Sequence, residues 1–307
     1  MTTPGAVPLR KLANLLSHHA PTDGPFELRM PGVWAIRLSR TTTEPIHATL
    51  GPALCVVAQG AKVVMLGRDV LDYNPSRLLM LSADLPVASQ VTRASAKHPF
   101  LGFVLVLDPA RVAELAARVF PRGVPKRPIG RGMFVGDAND AIVEAITRLL
   151  ELMAEPKDAE LLAPLVIDEI LIRLLRTSIG SRVAQMGQPN SGLHRIARAV
   201  SWIREHFGQP VTVQEMAASV NLRPSLFHQQ FKSVMAMSPL QYQKVLRLHE
   251  ARRLMLFHKM DAAEASRRVG YLSPSQFSRE YSRFFGAAPT KDVARLKDEV
   301  FVPRERT

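Results

Sequence analysis

The sequence predicts an α+β chain: a strand-rich N-terminal half folded as an antiparallel sandwich or barrel, a helical connector, and an all-α C-terminal domain with two helix-turn-helix units. Three observations predict it. Residues 26–107 alternate short runs of Val, Ile and Leu with Gly and Pro, residues 109–180 switch to helical apolar spacing, and the last third carries one helix-turn-helix pattern twice. A chain of 307 residues suits two domains and a connector. The boundaries expected are 1–137 for the barrel, 138–182 for the connector, 183–192 for a linker and 193–307 for the C-terminal domain.

In the N-terminal half the apolar runs 53–58, 61–65, 78–82 and 100–107 are punctuated by Gly60, Gly67, Pro75, Pro86 and Pro99. Gln59-Gly60 and Gly67-Arg68 fall where tight turns are needed. Further on, Ile142, Ile146, Leu149, Leu150 and Met153 form one helical stripe, and Leu165, Ile167, Ile170, Leu171, Leu174 and Leu175 form another. Pro156 and Pro164 read as the break between an antiparallel helix pair. These stripes either cover the barrel or form a homodimer contact. Gly187, Pro189, Asn190, Ser191 and Gly192 read as a flexible linker.

The repeat is the strongest signal. Its copies are VTVQEMAASVNLRPSLFHQQFKSVMAMSP and DAAEASRRVGYLSPSQFSREYSRFFGAAP, which align Val220 with Val269, Phe227 with Phe277, Phe231 with Tyr281 and Pro239 with Pro289. The offset grows from 49 to 50 across the turn, so the second turn has one extra residue. Units are expected at 212–235 and 261–285. Thr212 can N-cap the first helix, and Pro224 and Pro274 each start a second helix, where a missing N–H costs nothing. Phe227, Phe231 and Val234 bury one side of that helix. Its other side carries Ser225, His228, Gln229 and Lys232, and in the second copy Ser275, Gln276, Ser278, Arg279 and Arg283.

A helix lying in the major groove needs this composition: small hydroxyls for close approach, Gln and Arg for bidentate base contacts, Lys or Arg for phosphate. A solvated polar face would look the same in one helix. Two Pro-started copies on a basic background favour DNA. Residues 239–258 between the units read as one helix of ~30 Å at ~1.5 Å per residue, long enough to set two helices in successive major-groove faces. Arg247, Arg252 and Arg253 on it are either phosphate contacts or ordinary charges.

Charge agrees with this placement. The net charge is +13, with +4 in residues 1–188 (21 Lys/Arg, 17 Asp/Glu) and +9 in residues 189–307 (19 against 10). A basic chain attracts nucleic acid or an anionic membrane. The N-terminus has no signal-peptide core and no apolar run is long enough to span a bilayer, so a cytoplasmic protein with no membrane partner is expected. A single cysteine excludes an internal disulfide and a cysteine zinc site.

The segments SPLQYQKVLRLHEARRLM, ASRRVGYLSPSQFSREYSRFFGAAP and VTVQEMAASVNLRPS resemble the DNA-binding domain of the AraC/XylS family, over about 191–296. Two positions depart from the family: Tyr281-Ser282 replaces the usual Phe-Lys, and Gln229 stands where a basic residue is common. In the N-terminal half, LCVVAQGAKVVMLG, LSADLPVASQV and PFLGFVLVLDP resemble the N-terminal domain of one AraC-type subfamily, over roughly 12–182. That resemblance implies a cupin-like β-barrel that modulates the DNA-binding half. It implies double-stranded promoter DNA as partner, RNA polymerase for an activator, a small-molecule effector and a homodimer.

No enzyme is expected. A metal-dependent cupin needs a His-x-His pair, a carboxylate and a later His, and His18, His19, His47 and His98 lack that spacing. Neither metal nor cofactor is expected. A DNA-repair relative would need more cysteines. Cys55, in LCVVA, reads as a small buried hydrophobe, the alternative being a thiol that senses electrophiles or redox state. Arg118, Arg122, Lys126, Arg127 and Arg131 gather after the barrel. Solvated charge accounts for them, and the sharper expectation is an anionic effector such as a cyclic dinucleotide, because Arg-x-x-x-Arg resembles a phosphate clamp.

Overall fold

The computed structural model describes residues 5–298 except Ser76 and Asn190; the expected linker residue Asn190 and the end of the C-terminal domain, 299–307, lie outside the described residues. The chain starts with helix α1 (Ala6–His19), whose Leu12 and Leu16 are buried. Nine strands follow: β1 (Gly24–Glu27), β2 (Val33–Leu38), β3 (Ile46–Leu50), β4 (Ala53–Gln59), β5 (Ala61–Leu66), β6 (Asp69–Tyr73), β7 (Arg77–Leu81), β8 (Leu85–Arg93) and β9 (Phe100–Val106). Helix α2 (Pro109–Val119) and strand β10 (Met133–Asp137) complete the half.

The strands form two antiparallel sheets, ordered β1-β2-β9-β4-β7-β10 and β3-β8-β5-β6. This corrects the barrel expectation. Among the described residues no strand pairs across the sheets, so the half is an open two-sheet arrangement. The chain crosses between sheets at Gly60, where φ is +86° and a Cβ would stand 2.6 Å from the Arg93 carbonyl oxygen, so only glycine fits. Val56, Leu78, Met80 and Phe103 share one face of the larger sheet by register and Val57 lies on the other, all with no measurable exposure.

Helix α3 (Asp140–Leu152) is capped by the Asn139 side chain, which accepts from Ile142 N at 2.9 Å. Its stripe of Ile142, Ile146, Leu149 and Leu150 is wholly buried within the chain, against α1 among others. Helix α4 (Pro156–Leu175) contains Pro164 instead of starting after it. The proline is on an exposed turn, where a lost backbone bond is solvated. Ile170, Leu171, Leu174 and Leu175 are buried, while Leu161 and Leu165 remain 74% and 63% exposed.

The linker expectation also needs correction. Helix α5 (Gly180–Gly187) occupies its first half and packs on α2. A Cβ on Gly187 would lie 2.1 Å from the Pro109 carbonyl oxygen, so this glycine permits close packing and not flexibility.

The C-terminal part comprises α6 (Gly192–His206), α7 (Val213–Ala218), α8 (Pro224–Met235), α9 (Pro239–Phe257), α10 (Ala262–Arg268), α11 (Pro274–Phe285) and α12 (Pro289–Asp298). Reciprocal capping boxes start two of them, Thr212 with Glu215 at α7 and Ser238 with Gln241 at α9. Asp261 and Ser273 cap α10 and α11. The apolar interior of the first unit, with Phe227, Phe231, Val234 and Tyr242, is continuous with the core of the N-terminal half. The second unit has its own core of Leu248, Leu254, Phe277, Tyr281 and Phe285.

Candidate nucleic-acid interface

Each unit turns on one residue of positive φ, Asn221 at 55° in the first and Gly270 at 85° in the second. Two residues separate Asn221 from Pro224 and three separate Gly270 from Pro274, which is the extra turn residue seen in the repeat. Phe227 and Phe231 have ring centroids 5.4 Å apart, and Phe277 and Tyr281 are 5.5 Å apart, all four fully buried. These aromatics fix the roll of α8 and α11, so the opposite faces must point outward.

On those faces Ser225, His228, Gln229, Lys232, Ser275, Gln276, Arg279 and Arg283 are exposed, and Ser278 is half-buried. Gln276 Nε2 donates to Glu280 Oε1 at 3.3 Å. Glu280 also accepts from Lys244 and from the Tyr271 hydroxyl at 2.9 and 2.8 Å. Burial works to raise this carboxyl, but these donors together hold it below its ordinary value.

The arginines of α9 serve the fold. Arg247 donates to the Phe207, Gln209 and Gly270 carbonyls at 2.7, 2.9 and 3.2 Å, closing the two units together. Arg252 pairs through two 2.7 Å bonds with fully buried Asp292, which also accepts from the Tyr281 hydroxyl at 2.7 Å. Arg253 pairs with Glu250 at 2.8 Å. Exposed Arg223, directly before Pro224, was not singled out from sequence, although its place before a helix start was the available signal.

The N-terminal half docks on both units away from the outward faces. Arg131 Nη1 donates to the Lys232 and Ser233 carbonyls at 3.1 Å each, and Gly132 N donates to Val234 O at 2.8 Å. The Gly67 turn meets Ala236, the left-handed C-cap of α8. Tyr242 hydroxyl donates to Asp84 O at 3.0 Å, and Arg204 pairs with Asp84 at 2.8 Å. On the second unit, His47 of β3 lies 5.0 and 5.5 Å from the Phe284 and Phe285 rings and 6.5 Å from His249, and Glu44 pairs with Arg295.

The five basic residues after the sheets divide. Arg127 and Arg131 line a groove of about 510 Å³ with Arg182, which sequence reading missed because it is remote in the chain. Arg118, Arg122 and Lys126 are exposed and do not line it. Cys55 is buried in β4, and burial pushes its thiol up to about 12, so the exposed low-pKa thiolate of a sensor is absent. Among the described residues no group of three or more His, Cys, Asp or Glu side chains can hold a metal, and no helix is long and apolar enough to cross a membrane.

Comparison with known proteins agrees with this layout. The chain is 31% identical over 90 residues to the lactose operon transcription activator of Staphylococcus xylosus, covering 29% of this chain and 32% of that protein. It is 26% identical over 163 residues to the HTH-type transcriptional activator RhaS of a Salmonella strain, covering 53% and 58%. The chain thus spans from a third to just over half the length of these relatives. In fold it matches ToxT of Vibrio cholerae crystallised with an unsaturated fatty acid, at TM-score 0.54 and 9% identity, covering 85% of this chain and 94% of that one. A second ToxT structure, bound to (E)-4-(8-methylnaphthalen-1-yl)but-3-enoic acid, gives TM-score 0.56 at 10% identity, covering 85% and 97%. A helix-turn-helix domain matches residues 216–295, and the AraC-type transcriptional regulator N-terminus matches residues 29–182, half of the chain. The chain belongs to the AraC/XylS family of transcriptional regulators.

Proposed function

We propose that this protein binds promoter DNA sequence-selectively through α8 and α11 and that its N-terminal half adjusts that binding in response to a small molecule. The observation that carries this reading is the pair of Pro-started helices whose aromatic faces are buried and whose polar faces stay open while the N-terminal half is docked. Gln229, Gln276 and Arg279 are the base-reading candidates, and Lys232 and Arg283 the phosphate candidates. The connecting helix α9 has 19 residues, ~28 Å at ~1.5 Å per residue, close to the ~34 Å between successive major-groove faces.

The test is binding of the full chain to a fragment of its own promoter and to a scrambled fragment across a salt series. Tighter binding to the promoter with a steep fall as salt rises supports the reading. Equal binding to both fragments favours a ligand- or partner-binding protein that has lost DNA readout. Self-association is a second proposal, resting on exposed Leu161, Leu162 and Leu165 on α4. Sedimentation at tens of micromolar decides it, and a strict monomer removes it.

A further inference from the structure

The groove beside β10 has the properties of a ligand site. Arg127, Arg131 and Arg182 stand on its rim, and half-buried Leu71, Ile129 and Val135 supply its apolar floor. Arg182 comes from buried helix α5, and its guanidinium lies 3.8 Å over the Phe134 ring. One of its nitrogens donates to the Arg131 carbonyl at 2.8 Å. Gly130 leaves room for that path, since a Cβ there would stand 3.0 Å from Arg182 Nη2.

Charge in the groove is only partly compensated. Arg131 is paired with Asp69. Among the described residues no carboxylate pairs with Arg127 or Arg182. Burial disfavours the charged form of Arg182, and the Arg127 charge beside it does so further. Two cations at one rim, one of them stacked and half desolvated, gain most from a bound anion. The apolar floor disfavours a ligand that is charged all over, such as inorganic phosphate or a dinucleotide with two phosphates. The volume is in the range of ~300–1,000 Å³ usual for small-molecule sites.

We infer that this groove is the effector site and takes an amphiphilic organic anion, with one acidic headgroup held by Arg127 and Arg182 and a flat apolar body laid on Leu71, Ile129 and Val135. This inference rests on the regulatory reading above and deepens it. The position also gives the ligand a route to DNA. Arg131, on the same rim, holds the last turn of α8 by the Lys232 and Ser233 carbonyls, so an anion drawing on Arg131 acts one side chain away from a recognition helix.

Isothermal titration of the full chain tests it with four probes: biphenyl-4-carboxylate, biphenyl-4-yl phosphate, the neutral biphenyl-4-methanol and inorganic phosphate. The expected result is saturable binding of at least one biphenyl anion, with the alcohol and inorganic phosphate each at least tenfold weaker. The two headgroups compared on one body tell carboxylate from phosphate recognition. Arg127→Gln and Arg182→Gln are expected to weaken the anion at least tenfold, and Arg118→Gln to leave it unchanged. Arg127 is exposed, so its variant keeps the test valid if loss of Arg182 disturbs the fold. Equal binding of the alcohol, equal binding of inorganic phosphate, or anion binding indifferent to Arg127→Gln each overturns the inference. Promoter binding is measured on the same samples. If it persists while no biphenyl anion binds, the groove assignment fails and the DNA reading stands; if promoter selectivity is missing, the DNA reading itself fails.

Discussion

His47 on β3 faces His249 on α9 across the joint between the N-terminal half and the second helix-turn-helix unit, with ring centroids 6.5 Å apart and Phe284 and Phe285 around both. Both residues are partly buried. Burial pushes His47 down to about 4, with the Arg252 charge adding to the effect and Asp292 opposing it. Burial pushes His249 down to about 3, helped by His47 and Arg252.

The joint is therefore expected to weaken in acid. An undocked or unfolded state holds both histidines near their ordinary 6.5 and takes up protons first as pH falls. Stability of the docked form is complete above about pH 6.5 and declines from there towards pH 4 and below. A thermal-melting series from pH 7.5 to 4.5 checks this. His249→Leu, which also removes a buried and unpartnered Nε2, is expected to flatten the slope. An unchanged slope in that variant would remove His249 from the effect.

The second unit depends on a buried ionic knot. Asp292 has no exposure and Arg252 lies 4.2 Å over the Phe285 ring, so removing the carboxylate strands a cation against an aromatic core. Asp292→Ala is expected to cost ~3–5 kcal/mol in denaturant unfolding, the usual penalty for halving a buried pair. A loss below 1 kcal/mol (on the order of an exposed pair) would mean that water reaches Arg252.

The paired aromatics make a matching claim on both units. Phe227→Ala and Phe277→Ala are each expected to lose ~3–5 kcal/mol of stability, because a fully buried ring leaves a cavity. The first is expected to disturb the N-terminal half as well, since Phe227 shares its core, and the second to stay local. Hydrogen exchange read segment by segment distinguishes the two patterns.

Readout separates by side chain. Gln229→Ala and Arg279→Ala are expected to relax preference at different half-sites, each costing ~1–3 kcal/mol on the preferred sequence. Lys232→Ala is expected to weaken all sequences alike and to lower the salt slope by about one. Equal losses on promoter and random DNA for Gln229→Ala and Arg279→Ala would take them out of base readout.

What could be read from sequence was local. Pro224 and Pro274 announce helix starts, the Phe227–Phe231 and Phe277–Tyr281 spacings announce the buried faces, and the repeat ties both together within a few turns of chain. The sheet layout was not local: β2 lies beside β9, and β4 between β9 and β7. Nothing in a run of Val and Leu names its neighbour, so the strand pattern leaves sandwich and barrel both open, and the barrel that the family resemblance implies proves to be an open pair of sheets. Gly187 shows the same limit, because glycine marks a hinge and a close contact alike. Docking was hidden for the same reason. Tyr242 and Asp84, 158 positions apart, and the Arg131 bonds to α8 join residues whose partners exist only after folding.

That docking supplies the last prediction. The Gly67 turn sits against Ala236, where a Cβ on Gly67 would come 2.9 Å from the Ala236 carbonyl oxygen and 3.0 Å from its Cβ, and the turn needs φ of +61°. Gly67→Ala therefore pushes the β5–β6 hairpin off the end of α8 and strains the turn, without touching a side chain on the reading face. Arg131→Ala removes two bonds to the same turn of α8, together with the Arg131 pair to Asp69 of that hairpin. Both variants loosen the hold on the end of α8, while Asp84 still joins the first unit through Tyr242 and Arg204 and the second stays held by His47 and Glu44. If the docked half sets the relative pose of α8 and α11, each variant changes promoter affinity of the full chain several-fold and changes tolerance to altered half-site spacing, with Gln229 and Arg279 intact. Fluorescence anisotropy on promoter fragments with one to five inserted base pairs reads this out. Variants that match the parent protein on every spacing would show that α9 alone fixes the two units and that the N-terminal half acts by some other route, such as self-association through α4.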